Sequence, residues 1–174
     1  MENLHRTEFD SPAGTLRVVS SERGLAYVEL PHASGRGFEG WKERHATGAV
    51  VREAHGPNRE VVRQLLEFLE GKRERFELEL DLRATAFQTQ VYERVAAIPY
   101  GETRAYGEIA RELDQPAAVR AVGAANGANP IPLVIPCHRV VAADGKLQGY
   151  AGGLPLKAWL LALESRRPSP GRLL

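Results

Sequence analysis

Alternating hydrophobic and polar residues predict that the first half of the chain is largely β structure. Turn signals at 11–14 and 22–24 separate the first three of these segments. In chain order, the predicted strands cover residues 7–10, 15–20, 25–30, 50–53 and 76–82. Residues 31–48 are rich in Gly, His and charged side chains around an isolated Trp41, and this composition predicts a mobile loop.

Hydrophobic residues at helical spacing predict one helix in the first half of the chain and four in the second. Asn58 is the predicted N-cap of the first helix and Gly71 its stop signal, while Thr103 is the predicted N-cap of the third. The predicted helices cover residues 58–70, 87–97, 103–113, 117–125 and 155–164. The pattern therefore changes from α+β to helical at residues 83–85.

This change of pattern predicts an α+β domain over residues 1–83 and a helical domain over residues 84–174. In the second domain, a tight turn at 114–116 joins two short helices. The pair resembles a helix-turn-helix, although such pairs are also common as packing units with no partner. Residues 166–174 contain two prolines and one glycine, so we expect this end of the chain to fray.

Composition narrows the class of protein. The 174 residues are 43% hydrophobic, enough for a sizeable core, and the net charge of +1 gives no global attraction to nucleic acid or membrane. No hydrophobic run is long enough to span a bilayer and no signal-peptide pattern occurs, which predicts a cytoplasmic protein. One cysteine excludes an internal disulfide and a Cys-rich zinc site, and the five histidines are too scattered for a metal cluster.

The single cysteine, Cys137, follows Pro136 and precedes His138 and Arg139. A free cysteine in a hydrophobic run is most often part of the core. Two neighbouring basic groups instead favour a thiol with a lowered pKa, and the proline stiffens the backbone that enters the cysteine. In a plain strand Cys137 and His138 would face opposite sides, so a turn or a bridging water would have to connect them.

The predicted helix at 117–125 lies in a segment of small residues. Eight of the fourteen residues from 116 to 129 are Ala or Gly, and no carboxylate occurs from 115 through 143. A buried helix packed closely against its neighbours would have this composition. A helix that enters a narrow groove would have it too, because a helix with full side chains is about 10–12 Å across and the DNA minor groove is about 6 Å wide. Arg120 would be its one long cation.

Residues 150–153, Tyr-Ala-Gly-Gly, form a second segment with little side-chain bulk. Such a segment is suited to lining a pocket with backbone N–H groups. It could equally be an ordinary loop that enters the last predicted helix.

The motif Pro136-Cys137-His138-Arg139-Val140 has further matches on both sides. Asn129-Pro130 precedes it, and Tyr150-Ala151-Gly152-Gly153-Leu154 and Trp159-Leu160-Leu161 follow it. Together these residues resemble the O6-alkylguanine-DNA alkyltransferases over residues 87–164, whereas the first half is similar to the family only in outline. The resemblance implies an α+β protein with an N-terminal ribonuclease H-like α/β domain and an all-helical helix-turn-helix domain that carries the active-site cysteine.

The resemblance implies DNA repair by direct reversal of damage. The alkyl group of O6-alkylguanine, and by the same implication of O4-alkylthymine, would pass irreversibly to Cys137 after base flipping, once per molecule and without a cofactor. The implied partner is double-stranded DNA that contains the alkylated base. The protein is expected to be a monomer in solution, with clustering of several copies on DNA left open.

The resemblance also implies roles for individual residues. His138 would act as a base through a water, Glu164 would orient it, and Asn129 would hold the turn that presents the cysteine. Arg120 would take the place of the flipped nucleotide, and Tyr106 would crowd the phosphate 3′ to it. The remaining implied contacts are with DNA at Ala118, Ala121 and Gly123, and with the flipped guanine at Tyr150, Ala151, Gly152 and Val140.

Two positions depart from the family pattern. Ala151 stands where members often carry Ser, and Gln148 stands at a position that usually holds a small residue. The backbone N–H of Ala151 is unaffected, so recognition of the base is expected to persist. The two changes concern which bulky alkyl groups the protein accepts. The zinc site of some members cannot be built from one cysteine.

Two other classes of function would use the same residues. A cysteine hydrolase would share the Cys, His and acid but would turn over, and it would need oxyanion donors that the sequence does not locate. A non-catalytic protein that binds alkylguanine would share the fold, but proteins of that kind lack the cysteine.

Overall fold

The computed structural model describes residues 1–33 and 35–165, and the predicted α+β class is confirmed there. The strands are β1 (Asn3–Ser11), β2 (Gly14–Ser21), β3 (Gly24–Glu29), β4 (Val50–Glu53), β5 (Arg104–Ala105) and β6 (Val140–Val141). The helices are α1 (Gly37–His45), α2 (Arg59–Leu69), α3 (Ala86–Ala96), α4 (Tyr106–Glu112), α5 (Val119–Gly127) and α6 (Leu154–Glu164). All five predicted helices and four of the five predicted strands are present, with shifted ends.

The first half of the chain builds a four-stranded sheet in the order β3-β2-β1-β4. The β1–β2 and β2–β3 pairs are antiparallel, whereas β1 and β4 are parallel. Side chains alternate across β2, so that Leu16 and Val18 enter the main core and Val19 packs on the opposite face. The hydrophobic face of α2 brings Leu65 and Phe68 to the main core and thereby covers that face of the sheet.

The main core continues from the sheet into the second half of the chain. Phe68 of α2 belongs to the same buried cluster as Ile109 of α4 and Leu160 of α6. A backbone hydrogen bond also crosses between the halves, since Val28 N–H donates to Pro130 O at 2.9 Å. The predicted domain boundary stays a prediction, and the two halves share one core.

The prediction of a mobile loop at 31–48 is wrong, because the segment contains helix α1. Trp41 is only 3% exposed and stacks on Phe38, with ring centroids 5.9 Å apart, next to Tyr27 of β3. These aromatic side chains form a small second core on the face of the sheet that carries Val19. Hydrophobic spacing did not predict this helix because glycines and charged residues occupy most of its positions.

The predicted strand at 76–82 is also wrong. Only Leu80 bridges to the sheet, beside Leu25 of the edge strand β3. The Leu25 N–H donates to Glu79 O, and its carbonyl accepts from Asp81 N–H. The hydrophobic side chains of this segment still pack against the main core, which accounts for the alternation without a full strand.

Asn58 precedes α2 as predicted, but its side chain does not cap the helix. The side chain is fully buried, where Oδ1 accepts a hydrogen bond from Ser20 Oγ at 2.6 Å and Nδ2 donates to His5 O and Thr7 Oγ1. A buried amide must find partners for its polar atoms. Asn58 therefore ties β1 and β2 to the start of α2.

Thr103 is not the N-cap of α4. Residues Arg104–Ala105 form β5, which pairs in parallel with β6, and α4 begins only after them. The Glu108 carboxylate accepts a hydrogen bond from Ala105 N–H at 3.1 Å at the start of α4. The expectation of an all-helical second domain is corrected by this short parallel pair, which joins the start of α4 to the backbone just after Cys137.

Residues 166–174, for which we predict fraying, lie outside the described residues. None of the helices described in the structure is long and hydrophobic enough to cross a membrane, and the cytoplasmic location stays a prediction. Within residues 1–33 and 35–165, no three His, Cys, Asp or Glu side chains converge on a point that could hold a metal ion.

Candidate active site

The chain turns sharply between α5 and Cys137, and Asn129 holds this turn together. Asn129 Nδ2 donates to Ile135 O at 2.8 Å, and Asn129 Oδ1 accepts from Ile131 N–H at 2.9 Å. Pro136 then leads into a 3₁₀ turn over Cys137–Arg139. Because this backbone is not a plain strand, the alternation that would force Cys137 and the next side chain to opposite sides does not apply.

The Cys137 thiol lies in a buried setting that differs from the predicted one. Cys137 is 5% exposed, and burial raises the pKa of its thiol to about 11, while a hydrogen bond with Asn129 and the charge of Lys157 oppose the shift. The predicted lowering of this pKa by His138 and Arg139 is wrong, because His138 is kept neutral by burial and Arg139 is bound to a carboxylate. The thiol needs a base to take its proton at neutral pH.

His138, Arg139 and Glu164 form a buried network behind the cysteine. His138 Nε2 lies 2.7 Å from Glu164 Oε2, and Arg139 donates to Oε1 and Oε2 at 2.8 and 2.9 Å. Arg139 also donates to Ile98 O at 2.7 Å. Burial raises the pKa of Glu164, but the hydrogen bonds with His138 and Arg139 outweigh it and lower the pKa to about 2. Glu164 therefore stays ionised and holds both basic side chains at the end of α6.

The second ring nitrogen of His138 is left to the active site. Nδ1 is buried and has no hydrogen-bond partner among the described residues. Burial lowers the pKa of His138, although Glu164 works in the opposite direction, so we assign a neutral ring. A neutral imidazole that donates its Nε2–H to a carboxylate presents a lone pair at Nδ1, which is the form that a general base requires.

The free energy of unfolding is expected to fall in acid because of this network. The pKa of His138 is lower in the folded protein than in the unfolded chain. Below about pH 6.5 the unfolded chain therefore binds a proton that the folded protein does not, and the free energy of unfolding decreases as the pH falls further. The lowered pKa of Glu164 adds a second loss between about pH 4.3 and pH 2. Urea unfolding at pH 7.5 and 5.5, with His138→Gln as the control that lacks the first loss, measures this effect. If the urea midpoint changes by the same amount between pH 7.5 and 5.5 in both proteins, the buried neutral His138 is contradicted.

Lys157 is a buried cation that the sequence analysis missed. Its side chain is fully buried, and Nζ donates to Val140 O at 2.6 Å and to Gln148 O at 2.9 Å. The lysine thus joins the backbone after Cys137 to the loop that leads to the 150–153 segment. A signal was available in the sequence, because Lys157, Leu160 and Glu164 recur at spacings of three and four residues and share one face of α6.

Two tyrosines lie beside the cysteine, where the resemblance implied contacts with a flipped nucleotide. Burial raises the pKa of Tyr106 and of Tyr150, and the nearby Cys137 raises both further. The Tyr106 hydroxyl lies 3.5 Å from Gln148 O. The Tyr150 hydroxyl is buried and lacks a hydrogen-bond partner in the described part of the chain. Both phenols therefore present polar atoms to the space around the sulfur.

The other three residues implied in base contacts differ in exposure. Ala151 is exposed at the rim, Gly152 is buried and Val140 is fully buried with its carbonyl bound to the lysine. A Cβ atom at Gly152 would lie 2.6 Å from Leu156 Cδ2 and 3.2 Å from Leu30 Cδ1. Close packing, rather than access to the backbone N–H, therefore explains the glycine.

The outer face of helix α5, next to this site, carries mostly small side chains. Arg120 and Ala121 are exposed, whereas Ala118 and Gly123 are half-buried. The ring of Tyr106 lies 3.9 Å from where a Cβ atom of Gly123 would be, an ordinary van der Waals distance, so the tyrosine does not require a glycine there. Both interpretations of the small residues hold in part, since Ala125 is buried in the core and Ala121 lies on the exposed face.

The structure brings most of the predicted site residues together. Asn129, Tyr106 and Tyr150 lie near the sulfur, and Lys157 links it to Val140. His138 follows the cysteine and is bonded to Glu164, while Arg120, Ala121 and Gly123 lie on α5 with Ala118 immediately before it. Arg139 was predicted only as a charge near the thiol, and its hydrogen bonds to Glu164 assign it to the network instead.

Comparison with known proteins points to one family. Residues 86–166 match the family model of the 6-O-methylguanine DNA methyltransferase, DNA binding domain. A methylated-DNA–protein-cysteine methyltransferase of Mycolicibacterium paratuberculosis is 46% identical over 169 residues, which cover 94% of this chain and 93% of the relative. An inducible methyltransferase of the same description from Bacillus subtilis is 38% identical and covers 87% of this chain and 85% of its own length.

Two solved structures extend the similarity to three dimensions. The Mycobacterium tuberculosis OGT in complex with DNA superposes with a TM-score of 0.80 at 41% identity, covering 92% of each chain. The O6-methylguanine-DNA methyltransferase of Pyrococcus kodakaraensis superposes with a TM-score of 0.64 at 25% identity, covering 92% of this chain and 98% of that one. The similarity therefore includes the first half of the chain, in sequence as well as in structure.

Proposed function

The chain belongs to the methylated-DNA–protein-cysteine methyltransferase family, and on this premise we propose that it repairs DNA by moving an alkyl group from O6-alkylguanine to Cys137. The observation that carries the proposal is the buried thiol beside His138, whose Nε2 is bound to Glu164 and whose Nδ1 is unpartnered. O4-alkylthymine is proposed as a second substrate and a monomer as the active form. On this proposal, residues 1–83 form a supporting domain, and residues 84–174 form the domain that binds DNA and accepts the alkyl group.

The first step that we propose is activation of the thiol. With a pKa of about 11, the Cys137 thiol is almost wholly protonated at neutral pH. A water between the sulfur and His138 Nδ1 would take the proton from sulfur as the imidazole takes one from the water. The ionised Glu164 stabilises the imidazolium that results, and Lys157 stabilises the thiolate.

Transfer then follows as a displacement at carbon. The thiolate sulfur forms a bond to the alkyl carbon, the bond between that carbon and O6 breaks, and its electron pair passes to the purine, which takes up a proton. The product on Cys137 is a thioether. Unlike a thioester it has no polarised carbonyl for water to attack, and the chain has no second cysteine to accept the group, so each molecule reacts once.

Access to a buried sulfur requires the base to leave the duplex. Flipping a nucleotide costs a few kcal/mol, which contacts to the opened site must offset. The flat outer face of α5 permits close approach to the DNA, and the exposed Arg120 is long enough to enter the gap left by the flipped nucleotide. Tyr106 packs near Gly123 of α5 and lies near Cys137, and in this role it would crowd the phosphate and favour the flipped state.

Intact-mass measurement tests the proposal against its alternatives. After incubation with a duplex that contains O6-methylguanine, we expect a stable gain of one methylene on the wild-type protein and none on Cys137→Ala. Repeated turnover without a stable adduct would support a cysteine hydrolase. Tight binding of the duplex without any adduct would support a non-catalytic lesion-binding protein.

Arg120→Ala is expected to slow transfer from duplex DNA about tenfold or more, because stabilisation of the flipped state is lost and each 1.4 kcal/mol corresponds to a factor of ten. Transfer from a short single strand, where no stacked partner must be replaced, should change by less than about threefold. Single-turnover rates on both substrates measure the difference.

Arg94→Ala is the matched control, because it removes the same charge from the exposed surface of α3. It should leave both rates unchanged. An equal loss on duplex and single strand for Arg120→Ala would contradict the role in flipping and leave only a general contribution to binding.

A further inference from the structure

A narrow cleft lies between the first half of the protein and the turn that carries Asn129. One side of the cleft is formed by β3, the loop after it and α1, and the other side by residues 127–130, Pro132 and Ala151. Its volume is about 200 Å³, which corresponds to about seven water molecules at roughly 30 Å³ each. A methyl group on O6 of guanine is much smaller than this space.

The cleft begins next to the nucleophile. Asn129 borders the cleft and donates from Nδ2 to Ile135 O at 2.8 Å, and Cys137 N–H donates to the same oxygen at 2.8 Å. Because the two donors share one acceptor, Asn129 adjoins the backbone of the cysteine. Ala151 also borders the cleft, within the 150–153 segment proposed to hold the flipped base. The cleft is therefore an adjoining space for an O6 substituent that is longer than a methyl group.

The side of the cleft away from the cysteine is rich in hydrogen-bond donors. Trp41 and Arg44 are three residues apart on α1 and border the cleft together with Tyr27 of β3. Trp41 is 3% exposed, and its Nε1 is buried without a hydrogen-bond partner among the described residues, which is rare for a buried N–H. Burial and the charge of Glu29 raise the pKa of Tyr27 to about 12, so its hydroxyl keeps its proton at neutral pH. These donors suit a ligand that carries acceptor atoms.

The charges that border the cleft favour an anion. Arg36 is paired with Glu43 through two hydrogen bonds of 2.6 Å, and Glu29 accepts a hydrogen bond from Arg17 at 3.1 Å. Arg44 is exposed and forms no ion pair with any residue of the described part of the chain. The cleft thus holds one cation whose charge is not already matched by a neighbouring carboxylate.

We propose that this cleft accepts O6 substituents that end in a carboxylate, and that Arg44 selects the acid over an uncharged group of the same size. A 4-carboxybutyl chain has about seven non-hydrogen atoms, which matches the room in the cleft. The sulfur forms a bond to the first carbon of the chain, the bond from that carbon to O6 breaks, and the carboxylate stays on the group that Cys137 receives. The inference rests on the proposed alkyl transfer and names a class of substrate for it.

Single-turnover transfer from three duplexes tests the inference. They contain O6-methylguanine, O6-(4-carboxybutyl)guanine or its uncharged analogue O6-(4-carbamoylbutyl)guanine. We expect the wild type to transfer the acid about three- to fivefold faster than the amide, the range of an exposed ion pair. Arg44→Met should bring the two rates within about 1.5-fold of each other, whereas Lys42→Met, which removes a cation from another face of α1, should keep the preference. Transfer from O6-methylguanine should stay within about twofold of the wild type in both variants.

Equal rates for the acid and the amide in the wild type would overturn the inference, as would a preference that survives Arg44→Met. Adducts from O6-methylguanine but from neither long substituent would mean that the cleft does not receive them, and would overturn it too. If the wild type forms no adduct even with O6-methylguanine, the proposed function itself fails, and that duplex alone reveals it. Because Arg44 is exposed, its replacement leaves the core intact, and the methyl duplex also reports whether each variant is folded.

Discussion

Glu164→Gln is expected to lower the free energy of unfolding by about 3–5 kcal/mol, because it leaves the buried guanidinium of Arg139 without a partner of opposite charge. The amide keeps the size of the side chain, so packing changes little. It also withdraws the negative charge that stabilises a protonated His138. We therefore expect transfer of the alkyl group to slow by about a hundredfold or more even under conditions in which the variant is folded.

Urea unfolding and single-turnover transfer at low temperature measure the two effects. Glu112→Gln is the matched control, since it makes the same change on the exposed surface of α4 and should shift stability by less than about 0.5 kcal/mol. A stable Glu164→Gln variant with normal transfer would mean that neither Arg139 nor His138 depends on the carboxylate.

Lys157→Met is expected to shift the reactivity of Cys137 to higher pH. The charge of Lys157 lowers the pKa of the thiol against the effect of burial, so its removal raises that pKa further and leaves less thiolate at neutral pH. The variant also frees the carbonyls of Val140 and Gln148, which loosens the loop beside the site. Together these changes should slow transfer at pH 7 by about 10–100-fold, because each unit of pKa corresponds to a factor of ten in thiolate.

The rate of Cys137 alkylation by iodoacetamide at pH 9 reports the thiol directly, because below the thiol pKa of about 11 that rate is proportional to the thiolate fraction. In the Lys157→Met variant the rate should fall, whereas Lys146→Met, which removes an exposed lysine from the preceding loop, should leave it unchanged. A slower transfer with an unchanged alkylation rate would restrict Lys157 to holding the loop.

The proposed nucleophile and the residues bonded near it could be predicted because short motifs specify them. Cys137 and His138 are adjacent in sequence, and the family resemblance supplied Glu164 and Asn129. The helical spacing of Lys157 from Leu160 and Glu164 could have indicated that it faces the core, but not what it binds, since its partners are backbone carbonyls at positions 140 and 148. The thiol pKa was mispredicted for the same reason, because burial and pairing of the basic groups depend on distant parts of the chain.

Errors in the fold have a similar origin. The 76–82 segment alternates like a strand, yet the edge of β3 offers it only one bridge. Trp41 looks isolated in the sequence, but Tyr27 of the sheet packs against its ring, and this contact stabilises α1. Asn58 had the sequence of a helix cap, but a buried position below β1 and β2 gave its amide stronger partners.

Strand β3 belongs to the sheet and also touches the catalytic half. Leu30, just after it, occupies the space against which Gly152 packs, and Val28 is bonded to Pro130 in the turn before the cysteine. The first half of the protein therefore contacts both segments that flank the cysteine motif. A change of side-chain volume at position 30 should shift the 150–153 segment while every residue of the cysteine motif is kept.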